Sequence, residues 1–380
     1  MKTIVILGST GSIGVNTLKV VEAFPGELRV VGLGVRRNIA ALKEQIARFK
    51  PRLVAVEDEA RAAELRAAVG GAVEVAGGRE GMLRLASMPG ADTVVSAMVG
   101  AAGVLPTLEA VRAGKRIALA NKEALVCAGE IIMGEAARRG AELLPVDSEH
   151  SAIHQCLRAG AHGEVRRLVL TASGGPFLRL SKARMARATP EEALRHPRWK
   201  MGKKVSIDSA TMMNKALEMI EARWLFGVAP ERIDVLVHPE SAMHSLVEFE
   251  DGSMIAQLSP ADMRIPIQYA LLHPRRLSAP WDPLRLDRLG ALQFERPDPA
   301  RFPALELARR AMAAGGTMPA VMNAANEVAV QRFLACEISF TAIAAVVEGA
   351  MRGHEAVRAP SLEEIFRADA WARAEAGRAE

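Results

Sequence analysis

The chain has 380 residues, of which 50% are hydrophobic and 24% are charged. This composition excludes a disordered chain, and the length predicts more than one hydrophobic core. The formal net charge is +5, aromatic residues make up only 4%, and the basic residues are scattered. Few aromatic side chains provide no base-stacking platform for single strands, and this charge fits small anionic substrates at least as well as nucleic acid.

The cysteines and the apolar runs predict the cellular compartment of the protein. Cys127, Cys156 and Cys336 are too few and too far apart for a disulfide framework, which predicts reduced thiols in the cytoplasm. No apolar run approaches the roughly 20 residues that cross a bilayer, and the N-terminus enters a strand without a signal-peptide pattern. We therefore expect a cytoplasmic protein with neither a membrane nor a nucleic-acid partner.

Residues 1–146 alternate between short apolar runs and alanine-rich helical stretches. This alternation predicts an α/β fold with a doubly wound, Rossmann-like parallel sheet. The predicted strands are Thr3–Leu7, Leu28–Leu33, Leu53–Val56, Thr93–Ala97, Arg116–Leu119 and Glu142–Val146.

A glycine-rich turn follows the first strand and opens a helix. Its sequence, Gly8-Ser9-Thr10-Gly11-Ser12-Ile13-Gly14, is a G-x-x-G-x-x-G variant of the dinucleotide fingerprint. In that fingerprint, backbone N–H groups approach a pyrophosphate at the N-terminus of the helix. The register therefore favours nucleotide binding, and the alternative is a tight turn in an unrelated α/β fold.

Two arginines follow the second strand, where a domain that binds NAD(H) usually carries an acid for the ribose 2′-hydroxyl. Arg36 and Arg37 stand before Asn38, with no acid among them. Because guanidinium groups pair well with a 2′-phosphate, the sequence favours NADP(H) over NAD(H). The alternative is a solvated loop with incidental arginines.

A second polar motif, Asn121-Lys122-Glu123, follows the strand at Arg116–Leu119. Doubly wound sheets bind their ligands at the carboxyl ends of the strands. A lysine at the start of a helix opposes the helix dipole, which favours a functional role for Lys122 near the substrate or the nicotinamide. The alternative is a surface lysine.

Residues 147–273 do not continue the alternation of short apolar runs and helical stretches. Their pattern predicts an α+β domain. Asp147 and Glu149 are two residues apart, so in extended geometry their carboxylates face the same way. With Glu218 they make three oxygen ligands, the set expected for Mg²⁺ or Mn²⁺. A helix N-terminus that carries acids is an equally good interpretation. His150 and His154 have no third zinc ligand at suitable spacing, so we disfavour zinc.

Two loops of this domain are candidates for ligand contacts. Ser173-Gly174-Gly175 follows a strand and offers a hydroxyl and backbone N–H groups to an anion, or is an ordinary turn. The second loop is His196-Pro197-Arg198-Trp199-Lys200-Met201-Gly202, which is mostly polar. Its apolar side chains, Trp199 and Met201, could close over a ligand as a lid and exclude water. The alternative for Trp199 is core packing.

The stretch Asp208–Glu218 predicts a helix that begins with Asp208 or Ser209 as its N-cap and extends to Gly227. Helical spacing places Asn214 and Lys215 on the same face as Glu218. An amide, an ammonium and a carboxylate on one face suit a phosphate and a hard metal ion. Farther on, Asp251-Gly252 between two alternating runs predicts a hairpin of Leu246–Glu250 and Met254–Leu258.

The last hundred residues predict a linker and a helical bundle. Residues 274–302 are proline-rich and lack periodicity, which indicates an irregular linker. Residues 303–380 predict a small antiparallel bundle, with helices at Ala304–Ala314, Ala320–Ala335, Phe340–Met351 and Ser361–Ala376. The predicted domains are thus 1–146, 147–273 and 303–380, joined by 274–302.

The motifs together, in this order, closely resemble the 1-deoxy-D-xylulose-5-phosphate reductoisomerase family. The resemblance covers the whole chain, and the motifs at 147–150, 196–202 and 208–218 are specific in combination. Three positions depart from the family's usual pattern. Many relatives have glycine where this chain has Arg36 or Ala216, and phenylalanine where it has His154, but none of these positions is a proposed metal ligand.

The resemblance implies a role for each matching residue. The residues that take part in catalysis would be Lys122, Asp147, Glu149 and Glu218, of which the last three would bind a divalent ion (Mg²⁺, Mn²⁺ or Co²⁺). The residues that contact the substrate would be Lys122, Ser148, Glu149, Ser173, His196, Ser209, Asn214, Lys215 and Glu218. The residues that contact NADPH would be Thr10, Gly11, Ser12, Ile13, Arg36, Arg37, Asn38, Asn121, Glu123 and Gly202. Trp199 and Met201 would belong to the lid.

The implied activity is the rearrangement and NADPH-dependent reduction of a phosphorylated sugar-derived substrate, 1-deoxy-D-xylulose 5-phosphate, by a homodimer. The product would be 2-C-methyl-D-erythritol 4-phosphate, an isoprenoid precursor. Two alternatives stay open. One is another NADP-dependent oxidoreductase, which would not need three carboxylates. The other is a non-catalytic NADP-binding regulatory protein, which would not need Asn214, Lys215 and Glu218.

Overall fold

The structure is a computed structural model that describes residues 1–199 and 201–379. The chain forms two compact units, each with its own core. Unit 1 comprises residues 1–124, 130–151 and 262–282, and unit 2 comprises residues 125–129, 152–261 and 283–380. The finer division into four parts that the sequence suggests stays a prediction.

Unit 1 contains a seven-stranded parallel sheet, which confirms the predicted fold class. Its order is β4-β3-β2-β1-β5-β6-β7, so the chain winds outward from β1 in both directions. The strands are β1 Lys2–Leu7, β2 Leu28–Val35, β3 Leu53–Val56, β4 Glu74–Gly77, β5 Thr93–Ser96, β6 Arg116–Leu119 and β7 Leu143–Pro145. The six predicted strands are all present, and β4 is an addition that its short, partly exposed sequence did not reveal.

Unit 2 contains a four-stranded mixed sheet of order β11-β10-β8-β9. Its strands are β8 Val165–Ala172, β9 Ile233–Val237, β10 Met243–Phe249 and β11 Met254–Leu258. β10 and β11 pair antiparallel around Asp251-Gly252, which confirms the predicted hairpin. β8 and β9 pair in parallel, and β9 had not been predicted.

The α-helices cover most of the remaining chain. They are α1 Ser12–Ala23, α2 Ile39–Phe49, α3 Glu59–Val69, α4 Gly78–Ala86, α5 Val104–Arg112, α6 Lys122–Arg139, α7 Ser148–Cys156, α8 Lys182–Met185, α9 Pro190–Ala193, α10 Lys203–Ala210, α11 Met213–Phe226, α12 Arg264–Leu272, α13 Ala304–Ala314, α14 Met318–Leu334, α15 Ala342–Gly353 and α16 Leu362–Arg378. Among the described residues, none of the helices is long and apolar enough to cross a membrane.

The predicted helix over Asp208–Gly227 is wrong in its beginning and its continuity. Asp208 and Ser209 lie inside α10, and α11 begins only at Met213. Between the two helices Met212 has φ 60° and ψ 11°, a left-handed conformation that breaks the helix. Strong helix formers on both sides concealed this break, because local propensity cannot register a corner that tertiary packing imposes.

The C-terminal helices α13–α16 form the predicted bundle within unit 2. Phe302, just before α13, and Phe333 on α14 are among the largest fully buried side chains of the described residues. Phe340 packs edge-on against Phe177 at 4.8 Å between ring centroids, and against Phe333 at 5.7 Å. Burying one such ring contributes roughly 2–3 kcal/mol, so these aromatic contacts help to hold the bundle against the rest of unit 2.

A prediction concerns the glycine turn in unit 1. A Cβ at Gly14 would lie 2.3 Å from Gly8 O and 2.5 Å from Ser9 Cα, so only backbone movement could make room for it. We expect Gly14→Ala to lower the free energy of unfolding by about 1–3 kcal/mol, measured by urea titration. Gly26→Ala is the control, because nothing lies within 4 Å of its added Cβ. Equal stabilities of the two variants would contradict this account of the turn.

Candidate active site

The glycine turn in unit 1 leaves the start of α1 open to a ligand. Gly11 is the N-cap of α1, and no side chain of the described residues caps it. The first N–H groups of the helix therefore have the orientation and the free hydrogen-bonding capacity that a pyrophosphate needs. Thr10, Gly11, Ser12 and Ile13 are at least partly exposed, as a contact surface for a dinucleotide requires.

Ser9, the remaining side chain of the turn, faces the protein instead. Its Oγ donates to Gln45 Oε1 at 2.7 Å, and Gln45 Nε2 donates back to Ser9 O at 3.0 Å. Both residues are buried. Gln45 on α2 therefore holds the glycine turn in place from its buried side. This role could not be predicted from the sequence, because Ser9 and Gln45 are 36 positions apart in the chain.

The two arginines that follow β2 are exposed and already sit beside carboxylates. Arg37 Nε lies 2.7 Å from Asp58 Oδ2, and Arg36 Nε lies 3.9 Å from Glu57 Oε2. The arginine side chains are 72% and 84% exposed, so these ion pairs are weak and the guanidinium groups stay accessible to an anion. Asn38 caps α2, because its side-chain oxygen accepts from Ala41 N.

Asp58 has two structural roles that were not predicted from the sequence. Backbone N–H donation from Arg61, followed by the side chain of Arg37, lowers the pKa of its carboxyl. Asp58 is also the N-cap of α3. Asp58, which follows β3, thus orients Arg37.

Asn121 is fully buried and holds a loop of its own unit. Its Nδ2 donates to Met98 O and Gly100 O, both at 3.0 Å, and to Glu123 Oε2 at 2.9 Å. The amide therefore fixes the segment after β5. Whether Asn121 and Glu123 also contact NADPH stays a prediction.

Lys122 and Asp147 form a largely buried ion pair in unit 1. Lys122 begins α6, and Asp147 stands just before α7. Apart from Lys122, the buried Asp147 Oδ2 atom has no hydrogen-bond partner among the described residues. A buried carboxylate oxygen that faces only a cation fits a role as a ligand of a hard metal ion.

The predicted extended geometry of Asp147 and Glu149 is wrong. α7 begins at Ser148, so Glu149 lies in the first turn of a helix, and Ser151 N donates to Asp147 O at 2.8 Å. Ser148 Oγ donates to Glu149 Oε2 at 2.7 Å. The alternative of acids at a helix N-terminus was therefore correct about the local structure. It does not exclude metal binding, because the same dipole also stabilises the ionised carboxylates.

In unit 2 the structure brings three predicted ligands of an anion close together. Ser173 Oγ lies 2.8 Å from His196 Nε2. Gly175 has φ +66°, and a Cβ there would lie 2.7 Å from Ser209 O, so the glycine turn packs directly on the end of α10. Ser173 and His196 are thus in contact, and the backbone of Ser209 lies against the turn that follows Ser173, although the three residues come from separate motifs.

The hydrogen bonds of His196 define its protonation. Its Nδ1 accepts from Arg198 N at 3.2 Å and from Trp199 N at 2.9 Å, so this nitrogen carries no proton. The proton of the neutral ring is then on Nε2, which donates to Ser173 Oγ. Burial lowers the pKa of His196 to about 4, which keeps the ring neutral near pH 7.

His196 also connects the anion site to the predicted lid. Trp199, whose backbone it holds, packs 6.1 Å from His244 between ring centroids. Met201 is half-buried, and Gly202 is the N-cap of α10. Lys200, within the same motif, lies outside the described residues.

The predicted polar face of α11 is confirmed. Asn214 Nδ2 and Lys215 Nζ both donate to the carboxylate of Glu218. Lys215 and Glu218 are buried, and Glu218 is only 1% exposed. The spacing of three and four residues was sufficient to predict this contact, because α11 is regular from Met213 onward.

Comparisons with known proteins agree over the length of the chain. A family model described as 1-deoxy-D-xylulose 5-phosphate reductoisomerase matches residues 4–129, and one for its C-terminal domain matches 143–226. A third, described as the DXP reductoisomerase C-terminal domain, matches 258–375.

Individual relatives and solved structures give the same picture. The 1-deoxy-D-xylulose 5-phosphate reductoisomerase of Symbiobacterium thermophilum is 58% identical and covers 98% of this chain and 97% of its own. That of an Anaeromyxobacter species is 54% identical, over 99% and 96%. The Zymomonas mobilis enzyme in complex with NADPH has a TM-score of 0.92 at 44% identity, covering 99% and 98%. A DOX-P reductoisomerase with NADPH, fosmidomycin and magnesium has a TM-score of 0.94 at 41% identity, covering 99% and 97%.

A prediction concerns the pH dependence of stability. The unfolded chain protonates His196 near its ordinary pKa of 6.5, whereas the folded chain resists protonation to about 4. The unfolded state therefore binds more protons in this window, and stability should fall as the pH is lowered through it. In His196→Asn this part of the decline should be absent, as measured by urea midpoints across the window.

His162→Asn serves as the control for that measurement, because this histidine also makes a ring hydrogen bond, which its Nε2 donates to Phe226 O. It should keep the decline seen in the unaltered chain. A decline of the same size in His196→Asn would contradict the neutral, buried state of His196.

Proposed function

The chain belongs to the 1-deoxy-D-xylulose 5-phosphate reductoisomerase family, and we propose that it catalyses the family's reaction. In that reaction 1-deoxy-D-xylulose 5-phosphate is rearranged and reduced to 2-C-methyl-D-erythritol 4-phosphate, with NADPH and a divalent metal ion. The product enters isoprenoid precursor biosynthesis by the non-mevalonate route. The observation that carries this proposal is the buried carboxylate of Glu218, which accepts hydrogen bonds from Lys215 and Asn214 on the same helix face.

Asp147, Glu149 and Glu218 would hold the metal ion. Carboxylate oxygens suit Mg²⁺, Mn²⁺ or Co²⁺, and a metal ion would replace the Lys122 ammonium as the cationic partner of the buried Asp147 Oδ2. The ion would supply Lewis-acid polarisation of the ketone and of the developing alkoxide. The similar solved structures in complex with magnesium support a magnesium-dependent reaction.

The glycine turn and the two arginines would hold NADPH. The open start of α1 fits the pyrophosphate, and Arg36 and Arg37 are accessible to a 2′-phosphate. Gly11, Asn38 and Gly202 belong to the same contact set, by resemblance to the family. The bound cofactor would supply the hydride that reduces the rearranged aldehyde.

Ser173, His196, Ser209, Asn214 and Lys215 would hold the substrate phosphate and the atoms next to it. Ser173 Oγ accepts from His196 Nε2 and from Gly175 N, so its own proton is left to donate to a phosphate oxygen. A phosphate remote from the reacting carbons gives binding energy that can orient the substrate and close the lid of Trp199 and Met201.

Lys122 and Ser148 would contact the hydroxyl groups derived from the sugar. Lys122 is buried and ion-paired with Asp147. It can therefore donate to a substrate oxygen only from a fixed position, which favours orientation of the substrate over simple charge attraction.

The test of this function is NADPH oxidation with 1-deoxy-D-xylulose 5-phosphate and Mn²⁺. We expect turnover, loss of turnover with a chelator, and weaker binding of NADH than of NADPH. Glu218→Gln should reduce turnover by about a thousandfold or more because it removes a metal ligand, yet leave NADPH affinity nearly unchanged. The exposed Glu363→Gln is the matched control and should have normal turnover.

The possible outcomes separate this function from the alternatives. Activity that survives a chelator would favour a different NADP-dependent oxidoreductase. Binding of NADPH without any turnover would favour a regulatory protein. Near-normal turnover by Glu218→Gln would refute its role as a metal ligand.

We also propose that the chain acts as a cytoplasmic homodimer. Its three cysteines are free thiols, the state that a reducing compartment maintains. β11 is an edge strand with Met254 55% and Ile255 39% exposed. Met254 also lines a cavity of about 500 Å³ on the sheet, together with Val169, Leu236 and Leu246. An exposed apolar edge of this kind favours cover by a second copy.

The dimer is tested by light scattering. The unaltered chain should have twice the 40.7 kDa mass of one copy. Met254→Glu should weaken the dimer, because it places a charge on the apolar edge. Val357→Glu, which changes an exposed valine elsewhere, should not weaken it. A monomeric mass for the unaltered chain would overturn the proposal.

A further inference from the structure

Asp208 is a buried carboxylate to which the mechanism gives no role. It lies in α10 and is 1% exposed. Its Oδ2 lies 2.8 Å from Lys204 Nζ, and its Oδ1 accepts from Asn326 Nδ2 at 2.9 Å. Both carboxylate oxygens therefore have a donor, and the two donors lie on different helices.

The pair of Lys204 and Asp208 is not arranged to stabilise α10. Lys204 lies in the first turn of this eight-residue helix, and Asp208 lies in its last turn. Each charge opposes the nearer end of the helix dipole, and a lysine before an acid is the weaker order at this spacing. A local arrangement that works against its own helix indicates that a tertiary requirement maintains it.

That tertiary partner is Asn326, which is fully buried on α14. Its Oδ1 makes no hydrogen bond with the described residues, so the bond from Nδ2 to Asp208 is the contact that orients this amide. A carboxylate only accepts hydrogen bonds, which fixes which end of the amide faces it. Asp208 thus ties α10 to α14 at a defined position.

The residues that this tie holds in place belong to the proposed phosphate site. Ser209 is the next residue, and its carbonyl lies against the Gly175 turn that follows Ser173. The carbonyl of Asp208 itself accepts from Thr211 Oγ1 at 3.2 Å, just before the left-handed Met212. That corner determines where α11 begins, and therefore where Asn214 and Lys215 lie.

We propose that Asp208 is a positioning residue for the phosphate site, acting through Asn326 and Lys204. It does not touch the substrate. It fixes the end of α10, so that Ser209 and the residues after the corner face one anion. This inference rests on the proposed function, because it assumes that Ser209 meets the phosphate of the substrate.

The test compares Asn326→Leu and Asp208→Ala with the unaltered chain in steady-state kinetics. We expect each variant to raise the KM for 1-deoxy-D-xylulose 5-phosphate about tenfold, the effect of losing one hydrogen bond to a charged group. The KM for NADPH should change less than about twofold, because its site is built from other residues. The double variant should have about the KM of the weaker-binding single variant, because both changes break the same tie.

Asp369→Asn is the matched control. Asp369 forms an i, i+4 ion pair with Arg373 in unit 2, and the substitution removes its carboxylate. It should lower the melting temperature without changing the ratio of the two KM values. Asn326→Ala, which removes the donor without adding bulk, replaces Asn326→Leu if the leucine variant does not fold, with the same expectation.

Two results would overturn the inference. One is an unchanged KM for the phosphorylated substrate in both variants. The other is a parallel rise of both KM values that follows the melting temperature, which would indicate general destabilisation. Absence of turnover in the unaltered chain would instead overturn the proposed function, so the two failures are distinguishable.

Discussion

A carboxylate that is removed from water must have a cation or several hydrogen-bond donors beside it, and the candidate site is arranged around that requirement. Glu218 meets it with Lys215 and Asn214, both on its own helix face. Losing one partner from such a group leaves a buried charge uncompensated, at about 3–5 kcal/mol. The identities and the spacing of these residues are therefore not independent, and α11 must remain regular for the group to form.

The same requirement appears at two other carboxylates, each solved differently. Asp147 is paired with Lys122, which begins a separate helix of unit 1. Asp208 is paired within α10 by Lys204 and across to α14 by Asn326. In each case the partner that compensates the charge also fixes the position of a helix end. Charge compensation and geometry are thus provided by the same contacts.

The proposed phosphate site follows a complementary rule, because it keeps its histidine neutral. Two backbone N–H groups point at His196 Nδ1, and the proton on Nε2 is committed to Ser173. His196 therefore donates to Ser173, and the Ser173 hydroxyl proton is left to donate to an anion. The same ring holds the backbone of Trp199, so the anion site and the start of the lid share one side chain.

The sequence by itself determined the features that depend on local spacing. The alternation of strands and helices, the glycine turn, the hairpin at Asp251-Gly252 and the common face of Asn214, Lys215 and Glu218 all follow from periodicity and turn chemistry. The helix Ala304–Ala314 was predicted with its observed bounds. These features are local, because the residues that decide them are neighbours in the chain.

Only the tertiary structure decided the features that join distant residues. The corner at Met212 divides a stretch that local propensity extends as one helix, and α7 begins one residue after Asp147. Gln45 on Ser9, Asp58 on Arg37 and Asn326 on Asp208 join residues 36, 21 and 118 positions apart. No periodicity links such positions, since their contact arises only when packing brings separate elements together. The sequence thus supplied the chemical groups, and packing determined which of them meet.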